Sequence, residues 1–165
     1  MRNLIVILVA LVPSLPVFAQ QSAPPSAAAS RTMVSASEVQ AMIAKAKSDR
    51  KDNQPLVAQS LIQLAPYNVS LEYRASVGNA AVHETEAELF YVVDGSATLV
   101  TGGKLTGETR TNAENLSGNG IEGGQSRKVA KGDFVIVPEK TPHWFSAIDG
   151  TVVLMSLHLP HKAAQ

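Results

Sequence analysis

Two stretches carry the reading of this chain: GNAAVHETEAELFYVVDG, residues 78–95, and KGDFVIVPEKTPHWF, residues 131–145. In the first, His83 and the acidic residues Glu84, Glu86 and Glu88 lead into an apolar run, Leu89–Val93, and Asp94-Gly95 then reads as a hairpin turn. Both faces of that run are apolar, with Phe90 and Val92 alternating against Leu89, Tyr91 and Val93, so the strand is expected to be covered on two sides. In the second, a turn at Gly132-Asp133 precedes the strand Phe134–Val137. A corner between Pro138 and Pro142 follows, where the missing N–H groups stop the ladder, and then comes His143 beside Trp144 and Phe145.

Outward from these stretches the pattern stays β-like. Short β-branched and apolar runs separated by Gly, Asn, Asp and Pro predict strands at Leu56–Leu64, Val69–Ala75, Leu89–Val93, Thr98–Thr101, Arg127–Val129, Phe134–Val137, His143–Ala147 and Val152–His158. So many short strands without intervening helices predict an antiparallel sandwich or barrel rather than a parallel α/β sheet. Between Thr101 and Lys131 lie seven of the eleven Gly residues and few core formers; residues 102–126 are expected to form a long Gly-rich loop, either a lid or a disordered insert. Upstream, Ser35 and Glu38 have capping-box spacing, and Val39, Met42 and Ile43 recur at helical intervals. An amphipathic helix is expected over about 35–49, within a segment 34–50 that packs on the outside of a β domain spanning 54–160.

The N-terminus reads differently. Arg2, nine apolar residues from Leu4 to Val12, and the small residues Val17 and Ala19 flanking Phe18 have the order of a secretory signal, residues 1–19, cleaved after Ala19. The apolar run falls short of the ~20 residues of a membrane span, so no stable membrane anchor is expected. Residues 20–33, rich in Ser, Ala and Pro, read as a flexible linker. The protein is therefore expected to be periplasmic or extracellular.

Composition narrows the chemistry. In 165 residues, 14 Lys and Arg balance 14 Asp and Glu, so the basic footprint of a nucleic-acid binder is missing. No Cys is present, which removes disulfides, thiolate metal sites and a Cys nucleophile. A metal would have to sit on His and carboxylates. Of the four His, 83 and 143 lie in the informative stretches, whereas His158 and His161 near the end of the chain are expected to be solvated and without a role.

The two stretches resemble the paired motifs of the cupin superfamily, small jelly-roll β-barrels. The first motif, G-x5-H-x-H-x3,4-E-x6-G, is met by Glu88 and Gly95 with LFYVVD between them; the second, G-x5-P-x-G-x2-H-x3-N, is met by Gly132, Pro138 and His143. Lys140 stands where the family has Gly, and Ala147 where it has Asn. One His of the first motif is missing in either alignment: Thr85 occupies its place if His83 is the first His, Ala81 if His83 is the second. The resemblance implies an all-β, double-stranded jelly-roll barrel, to which the capping and periodicity signals add one N-terminal helix. It also implies a divalent metal, Fe, Mn, Zn or Ni, on His83, Glu88 and His143.

Glu86 is a candidate fourth ligand, and Phe90, Trp144 and Phe145 are candidate cavity-lining residues. Arg127 and Lys128 could meet an anion, although a basic pair at a strand start is usually a solvated edge. Two His and one carboxylate leave coordination positions open for water or substrate. The expected function is that of an exported cupin binding or acting on a small oxygen-rich organic molecule, with dioxygenase-like or isomerase-like chemistry. The alternatives are a non-enzymatic small-molecule-binding cupin with a degenerate site, and an interaction module; a homodimer is a further expectation.

Overall fold

A computed structural model of the chain describes residues 30–161, so the expected signal and most of the expected linker lie outside the described residues. Within them one helix, α1 (Ala36–Asp49), precedes eleven strands: β1 (Leu56–Leu64), β2 (Tyr67–Arg74), β3 (Ala80–His83), β4 (Glu86–Thr101), β5 (Lys104–Thr106), β6 (Thr109–Arg110), β7 (Asn115–Gly118), β8 (Gly120–Glu122), β9 (Gln125–Ala130), β10 (Phe134–Val137) and β11 (His143–Pro160). Every strand pairing is antiparallel. The main sheet runs β1-β2-β11-β3-β7-β6, and β4 pairs with β11, β9 and β10 beside that path; β5 and β8 form a separate pair. Pairing among the described residues does not close into a ring.

The helix starts where the capping pattern predicts. Ser35 Oγ accepts the Glu38 N–H at 3.3 Å, and Glu38 Oε2 accepts the Ser35 N–H at 2.7 Å. Val39 and Ala46 are buried, and Met42 and Ile43 pack with them against Leu61, Leu71, Tyr73 and Val153. This outer core lies between α1 and one face of the β1-β2-β11 sheet. The other face carries a second core of Phe90, Val92, Leu99, Phe145, Val152 and Leu154. Period-two alternation assigns neighbouring residues to opposite cores: Leu71 and Tyr73 on β2 face the helix, as does Val153 on β11, while Val152 and Leu154 face inward.

Two sequence expectations change in the fold. Asp94-Gly95 is not a hairpin turn: β4 continues through it for sixteen residues, pairing first with β10 and then with β9, while β11 pairs with it along most of its length. Gly95 has φ +79°, and a Cβ there would fall on the carbonyl oxygen of Thr151. The register shifts opposite it, between Ile148 and Val152, so the glycine bends a long strand instead of ending a short one. In the same way the two strands expected at 143–147 and 152–158 are halves of β11.

The stretch 102–126, expected as a loop, contains β5 to β8. Its four short strands are held by ladder hydrogen bonds to one another and to β3, not by an apolar core, which is why a hydrophobic pattern did not reveal them. Gly118, buried in β7, leaves room for the Thr106 carbonyl 2.8 Å from where its Cβ would be. β7 lies against β3 with Asn115 directly opposite His83.

Candidate metal centre

Four strand ends bring the site together. His83 closes β3 and His143 opens β11, while Glu88 near the start of β4 lies opposite His158 near the end of β11. Glu88 is 3% exposed, and its Oε2 lies 3.2 Å from His83 Nε2 and 3.0 Å from His143 Nε2. Its Oε1 accepts the hydroxyl of the fully buried Ser156 at 2.5 Å and lies 3.5 Å from His158 Nε2. The His83 ring stands 5.3 Å from that of His143 and 4.8 Å, edge-on, from that of His158. Ligand atoms of His83, Glu88 and His158 all lie within 4.8 Å of one another, while His143 stands outside that group and meets Glu88 Oε2.

The outer hydrogen bonds aim the rings. His143 Nδ1 lies 3.2 Å from the carbonyl of Thr141, which can only accept, so Nδ1 carries the proton and Nε2 turns to Glu88. His83 Nδ1 meets Asn115 Oδ1 at 2.6 Å, and the main-chain carbonyl of His83 accepts the Lys140 N–H at 2.7 Å. Despite two imidazole nitrogens at 3.0 and 3.2 Å, Glu88 Oε2 accepts no hydrogen bond of adequate angle and is buried. His158 Nδ1 is likewise buried without a hydrogen bond, since its 2.7 Å approach to Glu86 Oε1 is poorly angled. Burial pushes the Glu88 carboxyl upward, but the imidazoles of His143 and His83 and the Ser156 hydroxyl outweigh it and hold it well below the usual carboxylate range. Burial lowers the His83 pKa, yet Glu88 and Asn115 prevail and leave it raised.

The residues expected from sequence divide. His83, Glu88 and His143 converge. Glu86 does not join the ligand cluster but stands behind His158. His158, expected to be solvated, is half-buried in the cluster; the strand parity of Ser156 and His158, two polar residues in line with Val152 and Leu154 on the inward face, is the signal that could have marked it. Phe90 and Phe145 pack edge to face in the inner core with ring centroids 5.4 Å apart, so they support the site instead of walling its cavity. Trp144 also misses the cavity: its Nε1 donates to the Gly78 carbonyl at 2.8 Å. Arg127 and Lys128 lie elsewhere at the surface, on Gln125 and Asp149.

In front of the cluster lies a cavity of about 400 Å³, bordered by the three His, Glu88 and two residues absent from the sequence reading, Glu72 and Arg74. The match to the family profile described as Cupin covers residues 45–165. The chain belongs to the cupin family. This cupin matches the structure of KdgF from Halomonas sp. at 16% identity over 69% of its own chain and 86% of that one, with a TM-score of 0.50. It matches FeII HppE at 17% identity over 67% of its own chain and 53% of that one, also with a TM-score of 0.50. At such identities the likeness is one of fold alone. No curated protein matches the chain.

Proposed function

We propose that this cupin binds a divalent metal ion through His83, Glu88 and His143, with His158 taking the fourth place, and that it binds or acts on a small oxygen-rich organic molecule in the adjoining cavity. One observation carries the reading. The Nε2 atoms of His143 and His83 stand 3.0 and 3.2 Å from one buried oxygen of Glu88, and that oxygen accepts no hydrogen bond among the described residues. A buried carboxylate oxygen left without a donor is costly, and a divalent cation held by it and the two ring nitrogens would satisfy it. Ligand atoms about 3 Å apart are also what adjacent positions on an ion with bonds of ~2.1 Å demand. Imidazole and carboxylate together suit Fe, Mn, Zn or Ni.

Such an ion supplies Lewis-acid polarisation of a bound oxygen. The chain contributes the rest: Asn115 and Thr141 fix the rings, Ser156 holds Glu88, and the inner core behind Phe90 keeps the far side dry. We further propose that the strands wrap as the family's jelly-roll barrel and that residues 1–19 direct export. Metal analysis of the protein, purified without a His tag, tests the central claim. About one equivalent per chain is expected, falling severalfold in His83→Ala, His143→Ala and His158→Ala; trace metal in the parent, indifferent to all three changes, would overturn it.

A further inference from the structure

We infer that the cavity takes a small carboxylic acid, anchored at its carboxylate by Arg74. The inference rests on the cavity being a ligand site, as proposed above, and concerns the wall beside the metal cluster. Along β2 the apolar residues Leu71 and Tyr73 enter the outer core, so the intervening Glu72 and Arg74 point to the opposite face and border the cavity that holds His83, Glu88, His143 and His158. Glu72 is 8% exposed and the Arg74 side chain 16%. Removing a charged pair from water rarely stabilises a fold more than apolar residues of the same shape would, and Phe145 and Val152 show that this face accepts such residues.

The pair is built as a holder. Arg74 Nε and Nη2 both converge on one oxygen, Glu72 Oε2, at 2.8 and 2.7 Å, and the guanidinium lies 4.8 Å from the ring centre of Phe145. Clamped at one edge and supported on one face, it has lost its rotational freedom before any ligand arrives. Its Nη1, together with Glu72 Oε1, has no hydrogen-bond partner among the described residues, and neither is a fully buried atom. A guanidinium edge presents donors at the spacing of a carboxylate's two oxygens, which a neutral hydroxyl or amide cannot match in charge. About 400 Å³ lies near the lower end for ligand pockets and limits the acid to a small one.

The test uses benzoate and its neutral analogue benzamide, titrated into the purified protein, both chelator-treated and loaded with Zn²⁺, while amide shifts around Ala80, Ala81 and Ser117 are followed by NMR. Benzoate is expected to bind at least roughly tenfold more tightly than benzamide. Arg74→Gln is expected to abolish that preference with metal content unchanged. Should Arg74→Gln fail to fold because it strands Glu72, the double variant Glu72→Gln/Arg74→Gln removes both charges and asks the same question. Equal binding of the two probes, no shift at the cavity amides with either, or undiminished benzoate preference in the variants would overturn the inference. Metal content on the same samples separates the two readings: a metal-free parent that still prefers benzoate retains the anchor and loses the metal, while a metallated parent indifferent to benzoate does the reverse.

Discussion

At the scale of single residues, the site depends on groups that never touch its centre. Asn115 comes from the Gly-rich stretch, yet its Oδ1 decides which nitrogen of His83 faces Glu88. Asn115→Ala is therefore expected to weaken metal affinity by roughly 10- to 100-fold, as loss of an outer hydrogen bond does elsewhere, with little change in thermal midpoint; competition against a chromogenic chelator measures it. Protonation offers a second handle. Glu88 is held below its ordinary 4.5, so its contribution to stability is present above that pH and lost as pH falls below it. His83 is raised above 6.5, so its contribution is complete below that pH and disappears as pH climbs through the raised value. Thermal midpoints of chelator-treated protein between pH 3 and 9 are expected to be highest between those two limits, and Glu88→Gln is expected to flatten the profile.

At the scale of elements, two positive-φ positions make opposite predictions. Gly95 lets β4 bend against the bulge in β11, and a Cβ there meets backbone that cannot move aside. Gly95→Ala is expected to cost about 2 kcal/mol or more, read by urea denaturation. Lys140 has φ +59° in the Pro138 to Pro142 corner, the conformation that suits the Gly of the family motif. Lys140→Gly is expected to be neutral or stabilising by up to about 1 kcal/mol, because it relieves the left-handed strain while keeping the N–H that binds the His83 carbonyl. The corner was legible from its prolines and the helix from Ser35 and Glu38. The strands within 102–126 were not, because their cohesion lies in backbone ladders that no side-chain pattern records.

At the scale of the whole molecule, the β2-β11 sheet separates two tasks. Its helix-facing side is a core of Leu61, Leu71, Tyr73 and Val153 beneath α1, and its other side leads from the inner core to the His–Glu cluster. Damage to the first is expected to reduce stability without reaching the chemistry. Leu71→Ala, at a fully buried position, should cost about 2–5 kcal/mol in denaturant unfolding while metal stoichiometry at 20 °C stays that of the parent.

Local order was enough to determine the helix and its cap and the strand-rich character of the chain, and the resemblance of two short motifs pointed to His83, Glu88 and His143, which the fold brings together. His158 and the Glu72–Arg74 pair were decided only by the tertiary structure. They reach the cavity through the register of β11 against β4 and β2, where His158 falls opposite Glu88 and Arg74 opposite Val152. Strand parity gives each residue a side of its own strand. Which side becomes the cavity depends on which face the helix covers, and that is settled by packing between segments far apart in the chain.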